Sequence, residues 1–158
     1  MPIDYDIPKR GVRQLRKGRY SVAGQIYHVT TITEERRPLF EDLYLGRIIV
    51  SCVRHESEAG RAHTLCYVVM PDHLHWLLQL NGKRSLSRVV QNVKSQSARR
   101  IRLVGRTVRK IWQPGFHDRA IRRDEDLAAV ARYIVANPQR SGISRSCRDY
   151  PLWDAVWT

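Results

Sequence analysis

Two short strings in this 158-residue chain carry side chains able to do chemistry together. The first is His73-Leu74-His75. On a strand, alternate side chains share a face, so both imidazoles point the same way and can grip one cation. Leu74, Trp76, Leu78 and Leu80 then form the opposite, core-facing side. The same tripeptide equally fits two satisfied surface histidines. The second string holds Tyr133 and Asn137, whose spacing of four places them one turn apart on one helical face. They lie beside an apolar stripe of Leu127, Val130, Ala131 and Ile134. Taken alone, Tyr133 also fits a core-edge anchor with its hydroxyl in water, and Asn137 a helix-terminal residue.

The combination is more specific than either part. A divalent ion, magnesium or manganese, held by two histidines and an amide oxygen, with a tyrosine one turn away, suits phosphodiester transesterification. The phenolate attacks phosphorus while the ion steadies the charge developing on the phosphate. Tyrosine has a pKa of about 10, so near neutrality it needs basic surroundings or an assisting base. A phosphotyrosine ester is close in energy to the bond it replaces, so strands can be rejoined without ATP. The chain has no Gly-rich Lys-Ser/Thr loop and implies no nucleotide cofactor.

Other candidates carry weaker signals. His117-Asp118 can orient a substrate or act as an acid/base pair, and equally fits a structural histidine beside an aspartate. Cys66 with His73 and His75 is a conceivable zinc set, although no CxxC companion exists. His28, His55 and His63 have no partner spacing and read as structural or surface residues. Trp112 can stack on an unpaired base, but a core position is the commoner outcome for tryptophan.

Charge supplies the partner class. The net charge is +13, and residues 61–110 hold +10 of it, with eleven basic residues and one acidic. Arginine makes up 23 of the 28 basic residues, and its planar fork pairs with phosphate oxygens two at a time. A GC-rich gene would explain arginine over lysine, but not the clustering. A basic block beside near-neutral flanks reads as a footprint for a polyanion, with an anionic membrane surface as the competing partner. Lys83, Arg84, Arg88, Lys94, Arg99, Arg100 and Arg102 are the candidate backbone contacts, joined by Arg16 and Arg19 of a basic N-terminal arm. A hydrophobic content of 42% excludes a wholly disordered chain. No apolar run approaches the ~20 residues of a membrane helix, and the N-terminus lacks a secretory layout. Three cysteines without paired spacing fit a reducing cytoplasm.

Positioning these residues requires an ordered set of elements. Residues 20–32 alternate as a strand, 37–56 have helical spacing, and Leu65–Met70 and His73–Leu80 read as a hairpin closed at Met70-Pro71-Asp72. A helix from Ser85 to about Leu103 has a basic outer face, and Ile111 to Ile121 supplies a fourth strand. A third helix opens at Asp124-Glu125-Asp126 and runs to Asn137, where Pro138 stops it. The order β-α-β-β-α-β-α predicts an α+β fold: a ferredoxin-like split β-α-β antiparallel sheet with both helices on one face. The other face is then open for substrate. The expected organisation is an arm at 1–19, a catalytic domain at 20–140, and an aromatic tail at 141–158 packed back on it.

Three strings carry a resemblance: Tyr67-Val-Val-Met-Pro-Asp-His-Leu-His75, Ile111-Trp-Gln-Pro-Gly-Phe-His-Asp-Arg119 and Tyr133-Ile-Val-Ala-Asn-Pro138. In order and content they resemble those of REP-associated tyrosine transposases, the domesticated branch of the HUH single-tyrosine transposases. The resemblance runs from about Gly11 to Trp153. It implies His73 and His75 as metal ligands, Asn137 as the third ligand and Tyr133 as nucleophile. It also implies cleavage of single-stranded DNA at repetitive extragenic palindrome hairpins, leaving a free 3′-hydroxyl and a 5′-phosphotyrosine. Insertion-sequence relatives usually carry Gln where this chain has Asn137. The rival readings are a non-catalytic DNA-hairpin-binding protein that has lost cleavage, and a hydrolytic HxH metalloenzyme that forms no adduct. The partner set is single-stranded DNA and DNA hairpins, as monomer or homodimer; an aromatic tail covering the relatives' dimer surface favours the monomer.

Overall fold

The computed structural model describes residues 21–105 and 110–157. The basic arm with Arg16 and Arg19 lies outside the described residues. The strands and α-helices among the described residues are β1 (Ile26–Ile32), α1 (Leu43–Glu58), β2 (Ala62–Met70), β3 (His73–Leu80), α2 (Leu86–Leu103), β4 (His117–Ala120), α3 (Leu127–Val135), α4 (Asn137–Arg140) and β5 (Trp153–Ala155). Two short 3-10 turns, Glu34–Arg36 and Leu39–Glu41, lead from β1 into α1. The strands pair antiparallel in the order β4-β1-β3-β2-β5. This is the expected α+β arrangement, extended at one edge by a strand from the tail.

Local chemistry sets the ends of the elements. Asp42, Ser85 and Asp126 cap α1, α2 and α3, each side chain accepting a backbone N–H of the first turn. Pro71 and Asp72 form the whole turn between β2 and β3, since Met70 pairs with His73. Carbonyls in that turn accept from outside it: Asp72 from the Thr33 N–H and Pro71 from the Phe40 N–H, both at 2.9 Å. The turn, and His73 beside it, is therefore tied to the chain entering α1.

The two-residue period of β3 divides the core. Leu74, Trp76, Leu78 and Leu80 join Val29, Tyr67 and Val69 in a cluster with Ile49 and Val53 of α1 and with Val89, Val90 and Val93 of α2. Two indoles anchor this layer through hydrogen bonds at 3.0 Å, Trp76 to Thr64 and Trp112 to Ser97. On the opposite face, Leu77 joins Cys66, Val68 and Met70 under Ala131, Ile134 and Val135 of α3. That face was expected to be open. It is instead half roofed by α3, because Ile134 and its neighbours need an apolar partner and the β2–β3 surface supplies one.

The end of α3 also differs from expectation. It stops at Val135, and Asn137 opens the separate short helix α4 that contains Pro138. Pro138 lacks the N–H that would reach the Ile134 carbonyl, and the Asn137 side-chain amide donates to that oxygen instead, at 2.8 Å. Proline thus redirects the chain rather than ending helical structure.

Residues of the tail pair with the sheet edge. β5 pairs with β2 at Cys66–Val68, the Val69 N–H donates to the Leu152 carbonyl at 2.8 Å, and the Tyr150 hydroxyl donates to the Val69 carbonyl. Leu152 fills the space above Gly46, where an added Cβ would lie 2.5 Å from its methyl. Among the described residues, no helix is long and apolar enough to cross a membrane.

Candidate active site

His73 and His75 stand at one end of the sheet, on the face that α3 shares. Their Nε2 atoms face each other at 3.1 Å. Each ring is held from behind through Nδ1. His73 Nδ1 lies 2.6 Å from Asp72 Oδ1, and Arg36 closes on the other carboxylate oxygen at 3.2 Å. A carboxylate only accepts, so Nδ1 of His73 is the donor in this pair, and in the neutral ring that leaves the Nε2 lone pair for a cation. Burial raises the Asp72 pKa, but the hydrogen bond and charge of His73, with Arg36, outweigh it and hold the carboxyl below its ordinary value.

His75 is backed by β1. Its Nδ1 lies 3.0 Å from His28 Nε2 and 3.1 Å from Thr30 Oγ1. Burial, then the nearby His73, His28 and Arg140, push the His75 pKa well below its ordinary value. His28 is lowered to about 4, by burial first and then by the Arg119 charge. Both rings are therefore neutral near neutrality, the form that binds metals. Sequence reasoning missed His28, which has no spacing motif. The signal was the register of β1 on β3: Thr30 pairs with His75 and His28 with Leu77, so all share one face.

This donor set fits a divalent ion. Two ligands about 2.1 Å from an octahedral ion and at right angles are about 3.0 Å apart, close to the observed Nε2 separation. Among the described residues no three histidine, cysteine or carboxylate side chains are placed to hold one ion together, so a third protein ligand would be of another type. Cys66 does not supply it. It lies in the α3-covered apolar cluster with its thiol pushed up to about 12 by burial, which keeps it protonated and a poor zinc ligand.

Tyr133 is half-buried in the last turns of α3. The Arg140 guanidinium lies 3.6 Å from the centre of its ring and donates to its backbone carbonyl. Asn137 uses its Nδ2 on Ile134, which leaves Oδ1 as the atom able to meet a cation. The side chain bonds to Ile134 rather than to either histidine.

His117 and Asp118 are not brought together. His117 pairs with Thr30 on the histidine face, whereas Asp118 pairs with Val29 on the helix-covered face, so strand alternation separates them. Trp112 is a core residue, stacked 5.4 Å from Phe40.

The basic block also divides. Lys94 is 6% exposed, and its ammonium donates to the Gln113 and Gly115 carbonyls at 2.7 and 2.6 Å. It is a buried tie between α2 and the following loop, with its ammonium turned away from the exposed face of the helix. Arg100 is half-buried and bonds to Ser51 of α1, Arg61 is a bidentate partner of the buried Glu56, and Lys110 pairs with Glu34. Lys83, Arg84, Arg88, Arg99 and Arg102 remain exposed. Since α2 packs on the Trp76 side of the sheet, its arginines lie across the sheet from His73 and His75. The basic helix therefore does not converge on the histidine pair.

Comparison with known proteins agrees with this architecture. The family described as Transposase IS200 like matches residues 21–137. A Haemophilus influenzae protein named for the REP-associated tyrosine transposases is 28% identical over 139 residues, covering 81% of this chain and 78% of that protein. The REP-associated tyrosine transposase of Escherichia coli K12 is 31% identical over 87 residues, covering 54% of this chain and 50% of that protein. Among solved structures, a REP-associated tyrosine transposase bound to a REP hairpin superposes with a TM-score of 0.67 at 27% identity, over 85% of this chain and 79% of that one. A transposase homologue from Deinococcus radiodurans R1 matches at a TM-score of 0.55 and 22% identity, over 75% of this chain and 95% of that one, which shows the fold.

Proposed function

The chain belongs to the IS200-like transposase family, and from that premise we propose that it is a metal-dependent endonuclease and strand transferase acting on single-stranded DNA at palindromic hairpins. The observation that carries this reading is the facing pair of imidazoles, each locked through Nδ1, on the sheet face against which the tyrosine-bearing helix packs. In this reading His73, His75 and the Asn137 amide oxygen hold the ion, manganese more readily than magnesium because imidazole is the softer donor. The ion, when bound, polarises a non-bridging oxygen of the scissile phosphate.

Tyr133 is the nucleophile. Its phenolic oxygen forms a bond to phosphorus as the bond to the 3′ oxygen breaks, and the phenolic proton ends on the released 3′-hydroxyl. The 5′ end stays on Tyr133 as a phosphodiester, so the reverse reaction with another 3′-hydroxyl joins strands. The exposed arginines of α2 suit backbone contact with the folded part of the substrate, on the sheet face away from the chemistry. A cytoplasmic, nucleoid-associated location fits such a substrate.

A labelled hairpin with single-stranded flanks, drawn from palindromic repeats beside the encoding gene, tests this. The wild-type chain with manganese should form a covalent protein–DNA adduct. Tyr133→Phe should form none, and His73→Ala should lose cleavage while retaining most binding. Adduct persisting in Tyr133→Phe would remove the nucleophile assignment, and salt-sensitive binding without any cleavage would favour a hairpin-binding protein.

A further inference from the structure

Arg140 is the cation whose position the family match leaves without a role. It sits in α4, which follows the tyrosine helix and touches β2. Its guanidinium is fixed twice, by stacking 3.6 Å from the Tyr133 ring centre and by donating to the Tyr133 carbonyl. It also lies near enough to His75 for its charge to act on that ring. Among the described residues, no carboxylate pairs with it. Arginines held over an aromatic ring keep their fork edge available, because the stack uses the guanidinium face and a hydrogen bond to one carbonyl uses one of five N–H groups.

We propose that Arg140 is a catalytic residue that grips a non-bridging oxygen of the scissile phosphate, bridging the nucleophile and the metal-binding histidines. This rests on the reaction proposed above. In the proposed reaction the phosphate lies between Tyr133 and the histidine pair, and Arg140 is stacked on the first and acts through its charge on His75 of the second. Its remaining N–H groups match the charge-assisted, two-pronged geometry that arginine offers phosphate. The cation is set in place before substrate arrives, so it stabilises charge growing on phosphorus without first reorganising. A carbonyl cap on α3 alone would require only the backbone contact and not the ring stack.

Single-turnover adduct formation by the full chain with manganese tests this, on a hairpin whose scissile phosphate is either native or a methylphosphonate lacking one charged oxygen. On native DNA, Arg140→Ala should slow adduct formation about 100-fold, and Arg140→Lys should recover part of that loss. Added guanidinium ion should partly rescue Arg140→Ala and leave the wild type unchanged. On methylphosphonate DNA the difference between wild type and Arg140→Ala should shrink at least about tenfold, which loss of a helix cap would not produce. An Arg140→Ala rate within about threefold of wild type, or an equal loss on both substrates, overturns the proposal while leaving Tyr133 chemistry intact. Absence of any wild-type adduct overturns both.

Discussion

His28 reaches the site from β1 and holds His75 through a single 3.0 Å contact, which makes its removal a sensitive probe of the proposed metal pair. Ligand-orienting partners of this kind typically contribute about 10–100-fold to metal affinity. His28→Ala should weaken manganese binding by that factor in calorimetry, whereas His28→Gln, whose amide oxygen can accept from Nδ1, should retain most of it. Equal affinity in all three proteins would deny His28 this role. The same residue gives the metal-free protein a pH signature. Its folded pKa of about 4 lies below an unfolded value of about 6.5, so between these values the unfolded chain binds a proton that the native chain excludes. Stability therefore rises with pH across this window and falls as pH drops from about 6.5 toward 4. His28 accounts for about 3 kcal/mol of this fall, with His75 acting in the same direction. Melting curves in chelator should show this slope, and His28→Gln should flatten it; parallel curves would contradict a neutral, buried His28.

At the scale of elements, α2 holds basic residues of two kinds that charge counting treats alike. Lys94→Met keeps the stem's volume but leaves the Gln113 and Gly115 carbonyls without their donor, at a cost of about 2–4 kcal/mol in denaturant titration. It should leave the salt dependence of DNA binding unchanged. Replacing Arg88, Arg99 and Arg102 together with Gln should do the reverse, lowering the salt slope by about 2–3 with little change in stability or in cleavage at saturating DNA. A cleavage defect at saturation in that triple variant would contradict the placement of α2 across the sheet from the histidines. The sequence made α2 itself legible, since Ser85 caps it and Leu86, Val89, Val90 and Val93 mark its buried stripe. Periodicity identifies which side of an element is apolar, but not which sheet face that side meets. For this reason Ile134 and Ala131 announced a packed helix without revealing that it roofs the histidine face. The junction at Asn137 was hidden because one side-chain amide replaces the hydrogen bond that Pro138 cannot make.

Across the whole molecule, the charge excess proves to be distributed rather than drawn into a single track. The His73-Leu74-His75 alternation was readable because strand geometry is local, whereas His28 and Arg140 were not, because only tertiary register brings them to the pair. The tail is the other long-range contribution, and its aromatic content foretold docking but not a fifth strand. Truncation after Asp149 removes β5, the Tyr150 hydroxyl contact and the Leu152 side chain over Gly46. The melting temperature should fall by at least about 5 °C, and light scattering should show self-association through the bared edge of β2. A truncated chain that stays monodisperse with an unchanged melting temperature would show that β5 does not protect this edge. The two-residue turn at Pro71-Asp72 has a consequence in time. It closes the β2–β3 hairpin, and with it the imidazole pair, over a short loop, while Tyr133 and Arg140 must be gathered from far along the chain. Loop-closure entropy favours the nearer contacts first. Under the proposed function, a half-folded molecule thus has its ion-binding end before its nucleophile arrives, and it would not nick DNA until folding is nearly complete.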